Sequence, residues 1–115
     1  MAPDCVFCRI GRGEIPADVI YKDDEVVAFR DINPQGPVHV VVIPVEHIPG
    51  MKEAEERHQG LVGKLMLVAA QVAQQEGIAD SGYRLVVNQG REAGQSVDHL
   101  HVHVIGGRAM HWPPG

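Results

Sequence analysis

The rhythm of apolar and polar positions changes several times along the chain, and each change marks an element. Residues 5–12 suit one short helix, ended near Gly11 and Gly13. Val19-Ile20-Tyr21 and Val26-Val27-Ala28-Phe29 are short apolar runs around the polar turn Lys22-Asp23-Asp24-Glu25, which predicts a hairpin. Asp31 to Pro37 is a loop by its Asn, Pro and Gly content. Val38 to Ile43 is strongly β-branched and closes at Pro44, the pattern of a central strand. From Lys52 to Glu76 the period lengthens. Leu61, Leu65, Val68 and Val72 form one helical stripe, and Val62, Met66, Ala69 and Ala73 an adjacent one. So wide an apolar arc predicts burial on more than one side, against a sheet and either a covering loop or a partner subunit. Gly77 is placed to end this helix. Asp80-Ser81-Gly82 then turns the chain into a strand over 83–88. A glycine-rich loop spans 89–96, and a strictly alternating strand spans 99–105, stopped by Gly106-Gly107. Strands not interleaved with helices predict an α+β fold with a mainly antiparallel sheet.

The last strand carries the chemistry. On His99-Leu100-His101-Val102-His103-Val104-Ile105, alternation puts three imidazoles on one face and sends Leu100, Val102 and Val104 into the core. Two chemistries fit such a row. One is metal ligation. Along a strand His99 and His103 would lie about 13 Å apart, so one ion reaches two neighbours but not comfortably all three. The other is nucleophilic and acid–base catalysis, with a central imidazole attacking and its neighbours orienting it or handling protons. The preceding loop favours the second. Its glycines, among them Gly90 and Gly94, let backbone N–H groups approach an anion, and Ser96 adds a hydroxyl. Asp31 lies in a loop after a strand, a position from which a carboxylate can reach a ligand.

Composition narrows the field. The 115 residues fit one domain, 1–115, and 44% apolar content excludes intrinsic disorder. A net charge of −5 argues against a nucleic-acid backbone partner. No apolar run is long enough to span a bilayer, and no signal peptide is visible, so neither a membrane nor an export route is expected. Two cysteines cannot frame a disulfide fold, and a reducing, cytoplasmic setting is the default. Cys5-Val6-Phe7-Cys8 leaves three readings open: a redox pair, two incidental thiols, or half of a Cys₂His₂ zinc site.

His99 to Ile105 resembles the motif of the histidine triad (HIT) family, in which histidine alternates with apolar residues. Gly94-Gln95-Ser96 stands where that family has the same run. The resemblance reaches the family's nucleotide-binding branch through Phe7, Glu14 to Ala17, Ala28 to Ile32, Val42-Ile43-Pro44, Val86-Val87-Asn88 and the ending Met110 to Gly115. It implies a HIT-like five-stranded antiparallel sheet with one long and one short helix, continued across a homodimer. The tail 108–115 would reach the partner and set Trp112 near its site. It implies hydrolysis of purine nucleoside phosphoramidates, including aminoacyl adenylate-type substrates, with no catalytic cofactor. His101 would be the nucleophile, forming a nucleotidyl-histidine intermediate. His103 would contact the phosphate, His39 and His99 would support the triad, and Asp31 would hold the ribose. Phe7, Ile10, Phe29 and Ile32 match the base pocket, with Val6 beside them. Asn88, Gly94 and Ser96 lie around the phosphate and leaving group. Relatives with the N-terminal cysteine pair often bind zinc, and the matching ligands are Cys5, Cys8, His47 and His99. Two other functions compete: dinucleoside polyphosphate hydrolysis, which the Trp112-Pro113-Pro114 tail disfavours, and a nucleotide sensor or scaffold with little turnover. His58 and His111 match no catalytic position and read as surface or tail residues.

Overall fold

The computed structural model describes residues 5–115. Five strands form one antiparallel sheet: β1 (Val19–Lys22), β2 (Val26–Arg30), β3 (Val38–Pro44), β4 (Tyr83–Val86) and β5 (Val102–Gly106). Their order is β1-β2-β3-β5-β4, so the last strand of the sequence inserts between the third and the fourth. A short helix α1 (Val6–Gly11) precedes the sheet, and a long helix α2 (Gln59–Gln75) separates β3 from β4. This is the predicted α+β architecture. Among the described residues, no helix is long and apolar enough to cross a membrane.

Period-2 alternation splits the core between the two faces of the sheet. Val26, Ala28, Val40, Val42, Val102 and Val104 face α2, where Leu65, Val68, Ala69, Val72 and Ala73 meet them. Val27, Phe29, Val41 and Ile43 point to the other face and pack with Ile10 of α1, with Phe7, Ile15 and Ala17 against them. Covered on both sides, β3 is buried from His39 to Pro44, which is why its sequence after His39 reads as a continuous apolar run. The β1–β2 turn is tied by Asp23, whose Oδ1 accepts from the N–H groups of Glu25 and Val26 at 2.8 and 2.9 Å. The Tyr21 hydroxyl and the Lys64 ammonium reach its Oδ2, and the hydroxyl bond does most to hold this carboxyl well below the usual range.

Several boundaries differ from expectation. The helix predicted from Lys52 opens as two short 3₁₀ turns, Met51–Glu53 and Glu56–His58, before α2 begins at Gln59. Gly77 ends α2 as predicted, at a φ of 78°, and the Ile78 N–H returns to the Ala73 carbonyl. The strand predicted over 83–88 stops at Val86, and the glycine-rich loop holds a 3₁₀ turn, Arg91–Ala93. The histidine strand is shorter than predicted. Its ladder begins at Val102 opposite Val42. Upstream, the Leu100 N–H goes instead to the Ile48 carbonyl at 2.6 Å, and the Pro44 carbonyl is taken by the His99 ring at 2.8 Å. With those groups diverted, residues 99–101 lie outside the ladder.

His58 is not a surface residue. It is 3% exposed, its Nδ1 accepts the Glu55 N–H at 2.8 Å, and its Nε2–H donates to Glu46 at 2.9 Å. It therefore ties the entry of α2 to the loop after β3. In the tail, Arg84 donates to the His111 carbonyl, and its guanidinium lies 6.0 Å from the centre of the Trp112 ring, which is itself 83% exposed.

Candidate active site

Neutral imidazole carries one N–H, so hydrogen-bond partners assign each ring nitrogen. The His101 Nδ1 lies 2.7 Å from the His99 carbonyl, which can only accept. The proton is therefore on Nδ1, and Nε2 keeps a free lone pair. His39 is the reverse. Its Nδ1 accepts the Gln35 N–H at 3.0 Å, so its proton is on Nε2. That Nε2 lies 2.9 Å from the Nδ1 of His103 and 3.4 Å from the Asp31 carboxylate. His39 thus donates to His103, whose own proton is left on Nε2. The row provides an unprotonated nitrogen on His101 and an N–H on His103, with the ring centroids 4.9 Å apart. Burial, reinforced by its histidine neighbours, pushes His103 down to about 4, and burial also lowers His39 against the pull of Asp31. His103 is therefore neutral at physiological pH.

These groups face a cavity of about 450 Å³ on the side of the sheet away from α2. Phe7, Ile10, Phe29 and Ile32 line it with Val6 and Val41. Arg30, Asp31, Ser96, His101 and His103 are its polar members. Phe7 packs edge-on to Phe29 at 5.5 Å and to His101 at 5.1 Å. Asp31 is held at the rim, its N–H bonded to the His39 carbonyl and its Oδ1 accepting the Asn33 N–H. Ile32 is fully exposed and forms the lip. An apolar slot with one carboxylate and imidazoles at its end suits a flat ring joined to a polyhydroxylated, anionic group.

Not every expected residue is gathered there. Asn88 and Gly94 do not line the cavity, although Gly94, at a φ of 80°, closes the turn that leads to Ser96. The His99 ring is fully buried and points elsewhere. Its Nε2–H donates to the Pro44 carbonyl, and its Nδ1 faces the cysteines. Only its carbonyl serves the triad. Gln35, which sets the tautomer of His39 through its N–H, is absent from the sequence-based expectations. A main-chain role leaves no side-chain signal in a sequence.

Cys5, Cys8, His47 and His99 form a second cluster, with ligand atoms all within 4.8 Å of one another. The His99 Nδ1 lies 3.4 and 3.5 Å from the two sulfurs and 3.2 Å from the His47 Nδ1, and Cys8 lies 3.2 Å from His47. For tetrahedral zinc, bonds of about 2.3 Å to sulfur and about 2.05 Å to nitrogen separate ligands by about 3.6 Å for S–N pairs and about 3.3 Å for N–N pairs. The spacing fits, and the His99 lone pair aims inward. Burial and the neighbouring Cys5 push the Cys8 thiol up to about 11. Asp31, His39 and His103 also converge within 4.8 Å. However, the Nε2 of His39 carries its proton, and moving it to Nδ1 would set it against the Gln35 N–H. That group is built as a hydrogen-bond chain rather than a metal centre.

Comparison with known proteins gives the same picture over the whole chain. The chain is 53% identical over 114 residues to a 14 kDa zinc-binding protein of Brassica juncea, covering 97% of this chain and all of that one. It is 47% identical over 110 residues to the purine nucleoside phosphoramidase of Escherichia coli, covering 96% of this chain and 92% of the relative. A HIT family hydrolase from Legionella pneumophila superposes with a TM-score of 0.95 at 45% identity, covering 97% of this chain and all of that one. The HIT domain model matches residues 12–110, and with it the histidine row, the loop before it and the sheet beneath: the chain belongs to the HIT domain family.

Proposed function

We propose that this chain is a purine nucleoside phosphoramidase of the nucleotide-binding branch of the family. The observation that carries the reading is the tautomer pattern. His101 presents a free Nε2 lone pair to a cavity whose far end is an aromatic slot and whose rim holds Asp31. The purine lies against the apolar wall of Phe7, Ile10, Phe29 and Ile32, the ribose hydroxyls donate to Asp31, and the phosphate meets His101, His103 and Ser96. The His101 Nε2 attacks phosphorus, the P–N bond breaks with its electron pair going to nitrogen, and the His103 Nε2–H is the nearest proton for the departing amine. His39 donates to the His103 Nδ1 and so keeps the Nε2 of His103 as the nitrogen that gives and takes the proton. Water then attacks the nucleotidyl-histidine and gives its proton to the vacated Nε2 of His103, the P–N bond to His101 breaks with its electron pair returning to the His101 Nε2, and the nucleoside monophosphate leaves. Asn88 and Gly94 act by shaping the loop that presents Ser96.

Cys5, Cys8, His47 and His99 would hold a structural zinc. Four protein ligands leave no open position, so the ion supplies cross-linking rather than substrate chemistry. The name of the Brassica relative and the ligand spacing support this. The chain works as a homodimer in this reading, with the tail 108–115 carrying Trp112 toward the partner's cavity. The exposure of Met66, Leu67 and Trp112 supports it, since so much uncovered apolar surface suits a partner.

The test is steady-state hydrolysis of adenosine 5′-phosphoramidate, with diadenosine polyphosphate as comparison. The wild type should release AMP from the first far faster. His101→Ala should lose turnover and keep AMP binding, because base and ribose contacts lie on other residues. Turnover within a few-fold of wild type in His101→Ala would refute the nucleophile. Preference for the polyphosphate would transfer the chain to the competing hydrolase reading.

A further inference from the structure

His99 belongs to both clusters. Its Nδ1 faces Cys5, Cys8 and His47, while its main-chain carbonyl accepts the His101 Nδ1–H. We propose that the His99 ring, held by metal at Nδ1, positions the nucleophile: it fixes the carbonyl that keeps the His101 proton on Nδ1 and its Nε2 free. This rests on the zinc reading of the cluster and, for its kinetic arm, on the phosphoramidase reading.

The sheet does not fix that carbonyl. Ladder pairing begins at Val102, so residues 99–101 are located by other anchors. Those anchors are the Leu100 N–H on the Ile48 carbonyl and the two nitrogens of the His99 ring. Ile48 follows His47 directly, so the main-chain anchor also hangs from a ligand of the cluster. Without metal, one ring nitrogen and the His47–Ile48 loop lose their fixed point together. A neutral imidazole released from the carbonyl can carry its proton on Nε2, and in that form it cannot attack. A tautomer error of this kind costs orders of magnitude in a hydrolase whose nucleophile or base is an imidazole.

A purely structural metal predicts a different outcome. It would act through α1, which carries Phe7 against Phe29 and His101. Loss of metal would then weaken nucleotide binding and leave turnover at saturation unchanged.

Wild-type protein loaded with one equivalent of zinc, the same protein after chelation, His47→Ala and His47→Cys separate the two. Cys₃His is an ordinary zinc ligand set, so His47→Cys should restore the metal. Three quantities are read: kcat at saturating adenosine 5′-phosphoramidate, Kd for AMP, and the His101 tautomer by NMR of ¹⁵N-histidine-labelled protein. With zinc, His101 should be in the Nδ1–H form. On chelation or in His47→Ala, the Nε2–H form should appear and kcat should fall about 10- to 100-fold, by more than AMP affinity weakens. His47→Cys should reverse both. An unchanged tautomer and kcat in metal-free protein, or a wild type that takes up no zinc, would overturn the proposal. If even wild type fails to hydrolyse the phosphoramidate, the functional reading fails and the tautomer alone decides this one. If His47→Ala does not fold, chelation of wild type gives the same three readings.

Discussion

Replacing His103 by glutamine should flatten the acid limb of the stability curve. The His103 ring is half-buried and hydrogen-bonded through Nδ1 to His39, and burial pushes it from an ordinary value near 6.5 to about 4. The unfolded chain therefore binds a proton on this ring that the folded chain refuses. The sign follows: the stabilisation is complete above about 6.5 and is lost as pH falls from there toward 4. Between pH 7.5 and pH 5 the unfolded ring becomes almost fully protonated and the folded ring hardly at all. Linkage sets the loss at about 2 kcal/mol. The glutamine amide can still bond His39 and has nothing to titrate. Urea unfolding of both proteins at the two pH values, each metal-loaded, gives the comparison. The wild type should lose about 1–2 kcal/mol more than His103→Gln on going to pH 5, with equal m-values. Equal losses would mean that the ring titrates in the folded protein as it does in the unfolded chain. The neutral His103 on which the proton assignment depends would then be wrong.

Asp31→Asn should weaken binding of AMP more than of 2′-deoxy-AMP, because the carboxylate at the rim is the acceptor offered to the ribose; isothermal titration with both nucleotides reads the ratio, and no change in it refutes the ribose role. Ile43→Ala empties a fully buried position between β2 and β5 and should cost about 2–4 kcal/mol in urea unfolding at unchanged fold. Metal analysis of protein prepared under reducing, chelator-free conditions should find about one zinc per chain, absent from a Cys5→Ser/Cys8→Ser variant that still folds; affinity should fall with pH as the thiolates protonate. A wild type with both thiols freely titratable would return the cysteine pair to an incidental role.

What the sequence reveals follows from which forces are local. Alternation along 26–29 and 38–43 places side chains by pleat alone, so the two faces of the core are legible without knowing any partner strand. The helix end at Gly77 is legible because a left-handed residue there is almost a glycine's privilege. The start of β5 is not. It depends on the loop 44–48 taking the Leu100 N–H and on the His99 ring taking the Pro44 carbonyl, both contacts between distant segments. The burial of His58 escapes the sequence for the same reason. Glu55 three residues before it is a local capping signal, but the burial depends on Glu46 across the loop. The spacing of the histidines shows their common face. Their division of labour comes from Gln35, His99 and Pro44, which act through main-chain atoms that no sequence motif displays.

The strand order also governs when the catalytic row comes into being. β1, β2 and β3 form a meander of neighbouring segments, and such pairs close early at small entropic cost. β5 must pair Val102 with Val42 and hold Leu85 opposite Val104 after the whole of α2 has been laid down. The pairing of β5 with β3 is the longest-range one in the sheet and the slow part of its assembly. The two sides of the His39–His103 bond therefore meet only when β5 docks. A partly folded chain can have its hairpin and helix in place and still lack any reactive histidine pair. The amides of Val102 and Val104 accordingly belong to the set that exchanges with solvent only through global opening. Competence for chemistry and completion of the fold are one cooperative event.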